Sequence, residues 1–195
     1  MFQDAHDFNQ DLSSWDVSSG TEFGAMFYNC YQFNQNLNSW NMSNASSISS
    51  MFSGCSNFNQ PLNNWNISGV TDLQFLFQGA VLFNQDISSW DVSNVTNIRS
   101  AFNGCTSFNQ SLSNWDVGNV TNFESLFESC TSFNQSLSNW DVSSAINIEN
   151  MFLGAINFNS DLSNWCVSNF SSEPLGFSIL TNLNNNNKPL WGTCP

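Results

Sequence analysis

The chain has 195 residues and a formal net charge of −13, with only two basic residues, Arg99 and Lys188. That charge excludes nucleic acid and anionic membrane surfaces as partners, leaving cationic partners, divalent metal and neutral glycans admissible. Hydrophobic residues make up 41%, enough for a sizeable core, yet no stretch approaches the length that spans a bilayer.

The N-terminus begins Met1 and "FQDAHDFNQ", without the basic segment or apolar run of a signal peptide. Met1 already sits in register with Met26, Met51 and Met151. We therefore expect a fragment of a longer array, its upstream coils or secretion signal lying outside it. An uncapped first coil is expected to seek a partner.

The register comes from an internal repeat. "FNQ" begins at Phe8, Phe33, Phe58, Phe83, Phe108 and Phe133 and recurs as "FNS" at Phe158, always 25 residues on. Trp follows at 15, 40, 65, 90, 115, 140 and 165, and a second Phe series runs through 2, 27, 52, 77, 102, 127, 152 and 177. These Phe series hold 15 of the 19 Phe, so the aromatics are architectural before anything else. A period of this length predicts a right-handed solenoid, each coil burying its apolar side against its neighbours.

Within the coil from Asn84 to Phe108, Trp90 and Val92 have the spacing of one strand face. Ile98, Ala101, Phe102 and Cys105 have the three-one-three spacing of a short helix. Each coil is thus expected to hold a short parallel strand, a turn at "SNV", an extended piece and one to two helical turns. Residues 1–170 read as seven coils. Residues 171–195, interrupted by Pro174, Pro189 and the four Asn from 184 to 187, read as a C-terminal capping segment with Trp191 over the last coil.

The stretch "MFSGCSNFNQPLNNWNISGVTDLQFLF", Met51 to Phe77, resembles the repeat of the BspA-like leucine-rich-repeat surface proteins. Its nearest branch is the domain of unknown function abundant in mycoplasma surface lipoproteins and protist proteins. The likeness covers roughly residues 1 to 170. It implies a leucine-rich-repeat-like solenoid displayed outside the cell, active in adhesion and binding, and it supplies no catalytic residues.

Candidate chemistry is sparse. His6 is the only histidine, so Ser-His-Asp and Cys-His catalysis lack a well-placed base, and His6 reads as a solvated surface residue. The residue after each Trp runs Asp16, Asn41, Asn66, Asp91, Asp116, Asp141, Cys166. Pointing outward, Asp91, Asp116 and Asp141 would stack and could hold Ca²⁺ or form a hydrolase's carboxylate pair. The structural alternative, favoured because Asn serves in two coils, has each side chain bonding its own turn. No other cofactor is expected.

The Asn at 9, 34, 59, 84, 109, 134 and 159 stands beside a buried Phe in every coil. It reads as a structural ladder satisfying backbone groups of the adjoining coil, in preference to a sugar site. Among the Asn-X-Ser/Thr triplets, Asn94 and Asn119 are the best placed for N-glycosylation. Only Thr71, Thr96 and Thr121 form a consecutive Thr rank, too short for an ice-binding face.

Of six Cys, four (30, 55, 105, 130) share one position with Ala5, Ala80 and Ala155, which marks a small buried site and favours free thiols. Cys166 and Cys194 are expected to pair and staple the end, in an oxidising compartment.

The leading expectation is a non-enzymatic extracellular or cell-surface module that binds protein or glycan, or serves adhesion. The alternative is a structural unit stacking end to end into a layer or filament. A carboxylate-based hydrolase comes last. No nucleic acid and no membrane insertion are expected.

Overall fold

Apolar residues three apart recur through every unit, and the chain uses that spacing for turns. The computed structural model describes residues 1–195. In it the Ala101 N–H donates to the Ile98 carbonyl at 3.1 Å, Cys105 to Phe102 at 2.9 Å, Phe108 to Cys105 at 3.0 Å, Trp115 to Leu112 at 3.1 Å and Val120 to Val117 at 2.9 Å. All these residues are buried. Each is the first or fourth residue of a β-turn, so the ends of the turn point inward, while the middle residues lie at the surface apart from Ser53, Ser100 and Ser125, which are buried between coils.

This corrects the expected architecture. The chain does not form a right-handed, leucine-rich-repeat-like solenoid of short parallel strands plus a helix per coil. It has no α-helix and no sheet. Its regular content is a 3-10 turn at Asn185–Asn187 and four isolated parallel bridges: Glu22 with Ser47, Asp72 with Asn97, Asn97 with Asn122, and Asn122 with Asn147.

The cause lies in residues of positive φ. Ser100 (52°) and Gly104 (74°) occupy the third positions of successive turns, as do Ser50 (58°) with Gly54 (76°) and Ser125 (55°) with Ser129 (59°). A left-handed residue at that position stops a helix after one turn. It also aims alternate amides out of the coil. Ser100, Phe102 and Gly104 donate to the carbonyls of Glu124, Leu126 and Glu128 at 2.8, 3.1 and 2.8 Å, while Ala101, Asn103 and Cys105 close turns at home. Backbone polar groups are thereby paired without helix or sheet.

The aromatics line up across the coils. Phe52, Phe77, Phe102 and Phe127 follow one another at centroid distances of 5.6, 5.7 and 5.7 Å, and Phe58, Phe83, Phe108 and Phe133 at 6.0 Å each. Trp65, Trp90 and Trp115 follow at 6.4 Å. Each indole N–H reaches the preceding coil: Trp90 to the Leu62 carbonyl at 3.0 Å, Trp115 to Ile87 at 3.1 Å, Trp140 to Leu112 at 3.0 Å. One continuous cluster of 57 buried residues results. Each buried Phe or Leu stabilises it by about 1.5–3 kcal/mol.

The last layer, drawn from residues 171–195, differs. Phe177 stands edge-on to Phe152 at 88° and to Trp191 at 87°, which ends the column of parallel rings. The inter-coil register also slips by one: Asn150 donates to Leu175 and Phe152 to Phe177, 25 residues on, where Ser125 donates to Glu149, 24 on. At the other end Phe2 and Phe8 are half-buried and Trp15 is exposed.

Candidate functional site

The polar columns of the lateral surface come from turn middles and from the residues that link one turn to the next. Asn9, Asn34, Asn59, Asn84, Asn109 and Asn134 each accept, through Oδ1, the backbone N–H of the Asn one coil on, at 2.9–3.0 Å. The following Gln adds a second donor: Gln85 Nε2 meets Asn59 Oδ1 at 2.9 Å and Gln110 Nε2 meets Asn84 Oδ1 at 3.1 Å. These amides hold the corner of each coil.

Asp91, Asp116 and Asp141 are exposed, and each closes its own turn. Asp91 Oδ1 accepts from the Ser93 N–H at 3.0 Å and its hydroxyl at 2.6 Å, Asp116 from the Gly118 N–H at 3.1 Å, and Asp141 from the Ser143 N–H at 2.9 Å. The Ser93 hydroxyl and N–H hold the Asp91 carboxyl below the usual range, and Ser143 does the same for Asp141. Nowhere do three His, Cys, Asp or Glu side chains gather in a group able to hold a metal.

Asn94 and Asn119 are exposed, but their Nδ2 groups donate to the carbonyls of Ser68 and Ser93 at 2.9 and 2.8 Å. A glycan there would be built on an amide already engaged between coils. The Thr96 and Thr121 hydroxyls are likewise turned back to the preceding Thr carbonyl, at 3.3 and 3.2 Å. His6 stacks on Tyr31 at 4.5 Å.

Cys166 and Cys194 are bonded to each other. Cys30, Cys55, Cys105 and Cys130 are free and buried, with Sγ donating to the carbonyls of Phe2, Phe27, Phe77 and Phe102 at 2.8–3.0 Å. Burial raises the thiols of Cys55, Cys105 and Cys130 far above their ordinary range.

Two features escape a reading by repeat. Phe75, with φ of 57°, stands where other coils have Ala, Ser or Asn, and the Arg99 guanidinium lies over its ring at 5.5 Å while pairing with Glu124 at 3.0 Å. The departure from consensus at both positions was the available signal. The second is a groove of about 490 Å³ between the seventh coil and the last layer, bordered by Ile146, Asn147, Glu149, Phe170, Ser172 and Pro174. The sequence marked it only by Pro174, because Phe177 keeps the 25-residue period and the slip shows only in the backbone pairing.

A family model described as "Mycoplasma protein of unknown function, DUF285" matches the chain twice, over residues 1–90 and 71–191. No curated protein and no solved structure matches it.

Proposed function

The chain belongs to the family of Mycoplasma proteins of unknown function, DUF285, and from that premise we propose that it is a non-enzymatic binding module of the BspA-like surface kind. It works outside the cell or on its surface and engages protein or glycan partners.

One observation carries the reading. The turns and their linking residues set hydroxyls, amides and carboxylates in columns over an unbroken apolar core, one set per 25-residue unit. Such a surface recognises by many weak polar contacts at fixed spacing. The carboxylates most suited to chemistry, Asp91, Asp116 and Asp141, are spent on their own turns, which supports binding over hydrolysis. The bond between Cys166 and Cys194 suits an oxidising compartment.

The test is a panel of immobilised neutral glycans and secreted proteins probed with labelled chain, alongside antibody labelling of intact cells. Saturable binding and surface labelling are expected. Labelling that requires permeabilised cells, or a panel without saturable binding, would overturn the reading.

A second reading, layers of separate chains stacking end to end, draws on the way like rings stack in parallel from one coil to the next. Concentration-dependent filaments in electron micrographs would favour it, and a strictly monomeric sample would count against it.

A further inference from the structure

Three successive layers carry the turns Leu12–Trp15, Leu37–Trp40 and Leu62–Trp65. The Trp40 and Trp65 indole N–H groups tie them together, reaching the Leu12 and Leu37 carbonyls at 3.0 and 2.9 Å. Along these turns, on the side of the molecule, lies a groove of about 430 Å³ that no apolar side chain borders. Its volume falls within the roughly 300–1,000 Å³ of small-ligand sites. Small residues make the room: Ser13 and Ser39 both border it, and the Ser39 hydroxyl is bonded to the Ser13 carbonyl at 3.2 Å. Asn38 Oδ1 accepts the Asn64 N–H at 2.9 Å and so fixes Asn64 at the groove.

Four polar atoms of this lining have no protein partner. Asp11 Oδ1 accepts the Ser13 N–H at 2.8 Å, which leaves Oδ2. Asn36 Oδ1 accepts the Asn38 N–H at 2.9 Å, which leaves Nδ2. Gln35 uses Nε2 on Asn9 and keeps Oε1, and Asn64 keeps Nδ2. Two acceptors therefore stand with two donors. Asp11, Asn36 and Asn64 are exposed and Gln35 is half-buried, so a ligand in the groove reaches them. Asp11 and Asn36 share one repeat position, which reads Pro61, Asp86, Ser111, Ser136 and Asp161 in later layers. Pro61 has no polar side chain, and the Ser111 and Ser136 hydroxyls bond those of Ser113 and Ser138 at 3.1 Å. Only here do a carboxylate and a carboxamide hold that position in adjoining layers.

We propose that this groove binds a neutral saccharide through neighbouring hydroxyls of one sugar ring. It rests on the reading of the chain as a binding module and gives that module a site and a ligand class. A sugar hydroxyl both donates and accepts, so a vicinal pair satisfies a carboxylate oxygen and an amide N–H together. Asp11 Oδ2 accepts from one hydroxyl while Asn36 Nδ2 donates to its neighbour. Gln35 Oε1 and Asn64 Nδ2 serve the rest of the ring. Other ligand classes find less here. An anion meets the −13 of the chain, a metal finds no group of three ligating side chains, and an apolar peptide finds no apolar side chain to cover.

The probes are the methyl glycosides of β-glucose, β-galactose and α-mannose, whose vicinal hydroxyls differ in orientation, each titrated into the isotope-labelled full chain. With at least one of them, saturable shifts of the Asn36 and Asn64 side-chain amide resonances are expected at roughly millimolar glycoside. Asp11→Asn and Asn36→Asp each keep the turn acceptor, since this chain uses both residues at that position, and each removes one contact to the sugar. Each should weaken binding about tenfold, read at the Asn64 amide that both variants retain. Added salt at about 0.5 M should leave the affinity unchanged, because the ligand carries no charge. Absence of saturable shifts with all three glycosides, or indifference to both variants, would overturn the proposal. So would shifts produced by trilysine and abolished by salt, since the occupant would then be a cation. Panel binding that persists unchanged in both variants would remove the groove and leave the wider binding reading standing.

Discussion

At the scale of single residues, the side chains that looked most chemical do structural work. Asp11, Asp16, Asp86, Asp91, Asp141 and Asp161 all have carboxyls held below their ordinary range by Ser N–H and hydroxyl groups two residues on. A carboxyl that binds its proton less readily when folded stabilises fully above its unfolded value, about pH 4. That contribution fades as pH falls through the lowered folded value. Asn41 and Asn66 make the same turn bond without a charge. The double variant Asp91→Asn, Asp141→Asn, which keeps the turn bond but not the charge, should therefore unfold at lower urea than the parent at pH 7, and the difference should narrow by pH 3. The Asn ladder is more demanding. Asn84→Ala leaves the Asn109 N–H without its acceptor, while the Gln110 amide keeps the Asn84 backbone carbonyl, and should cost about 1–2 kcal/mol in urea unfolding, most of it restored by Asp at that site.

At the scale of the turn, the sequence was legible in part, and the reason is geometrical. The period of 25 and the inward aromatics could be read from spacing alone. Local conformation could not, because residues three apart meet on one face of a helix and equally at the two ends of a β-turn. Ile98 with Ala101, and Phe102 with Cys105, satisfy both. Trp90 and Val92 misled in the same way: Trp90 closes one turn on Ile87, and Val92 opens the next to Val95. The deciding signal was Gly54, Gly79, Gly104 and Gly154 at one repeat position, all at positive φ, with Asn29 and Ser129 in the same place. These positions set a graded expectation. Alanine at Gly104 would meet Gly79 at 3.6 Å, an ordinary contact, and should cost only the left-handed penalty of about 1–2 kcal/mol. Alanine at Gly54 would collide with Asn29 Oδ1. Thermal unfolding should rank Gly54→Ala clearly below Gly104→Ala.

At the scale of the whole molecule, stability is a sum over layers, with the last layer stapled. The disulfide closes a loop across a sequence separation of 28, worth about 3 kcal/mol. Its reduction, or Cys194→Ser, should raise hydrogen exchange at Leu162 and Val167 while leaving Phe102 protected. The four free thiols, buried and bonded to the preceding coil, should ignore a thiol reagent until the chain unfolds, and then all react. The groove at Ile146–Glu149 was hidden from the sequence because it arises from a break in the repeat, and a break has no period to reveal it.

The alternation of amides between home turn and next layer has a consequence for inheritance. The seams from Phe77 to Met151 repeat the same donors and acceptors, so a unit excised or copied in frame there leaves two matching surfaces that close on each other. A gene of this kind can lengthen or shorten by recombination between its own copies, giving descendants of different reach without a refolding problem to solve.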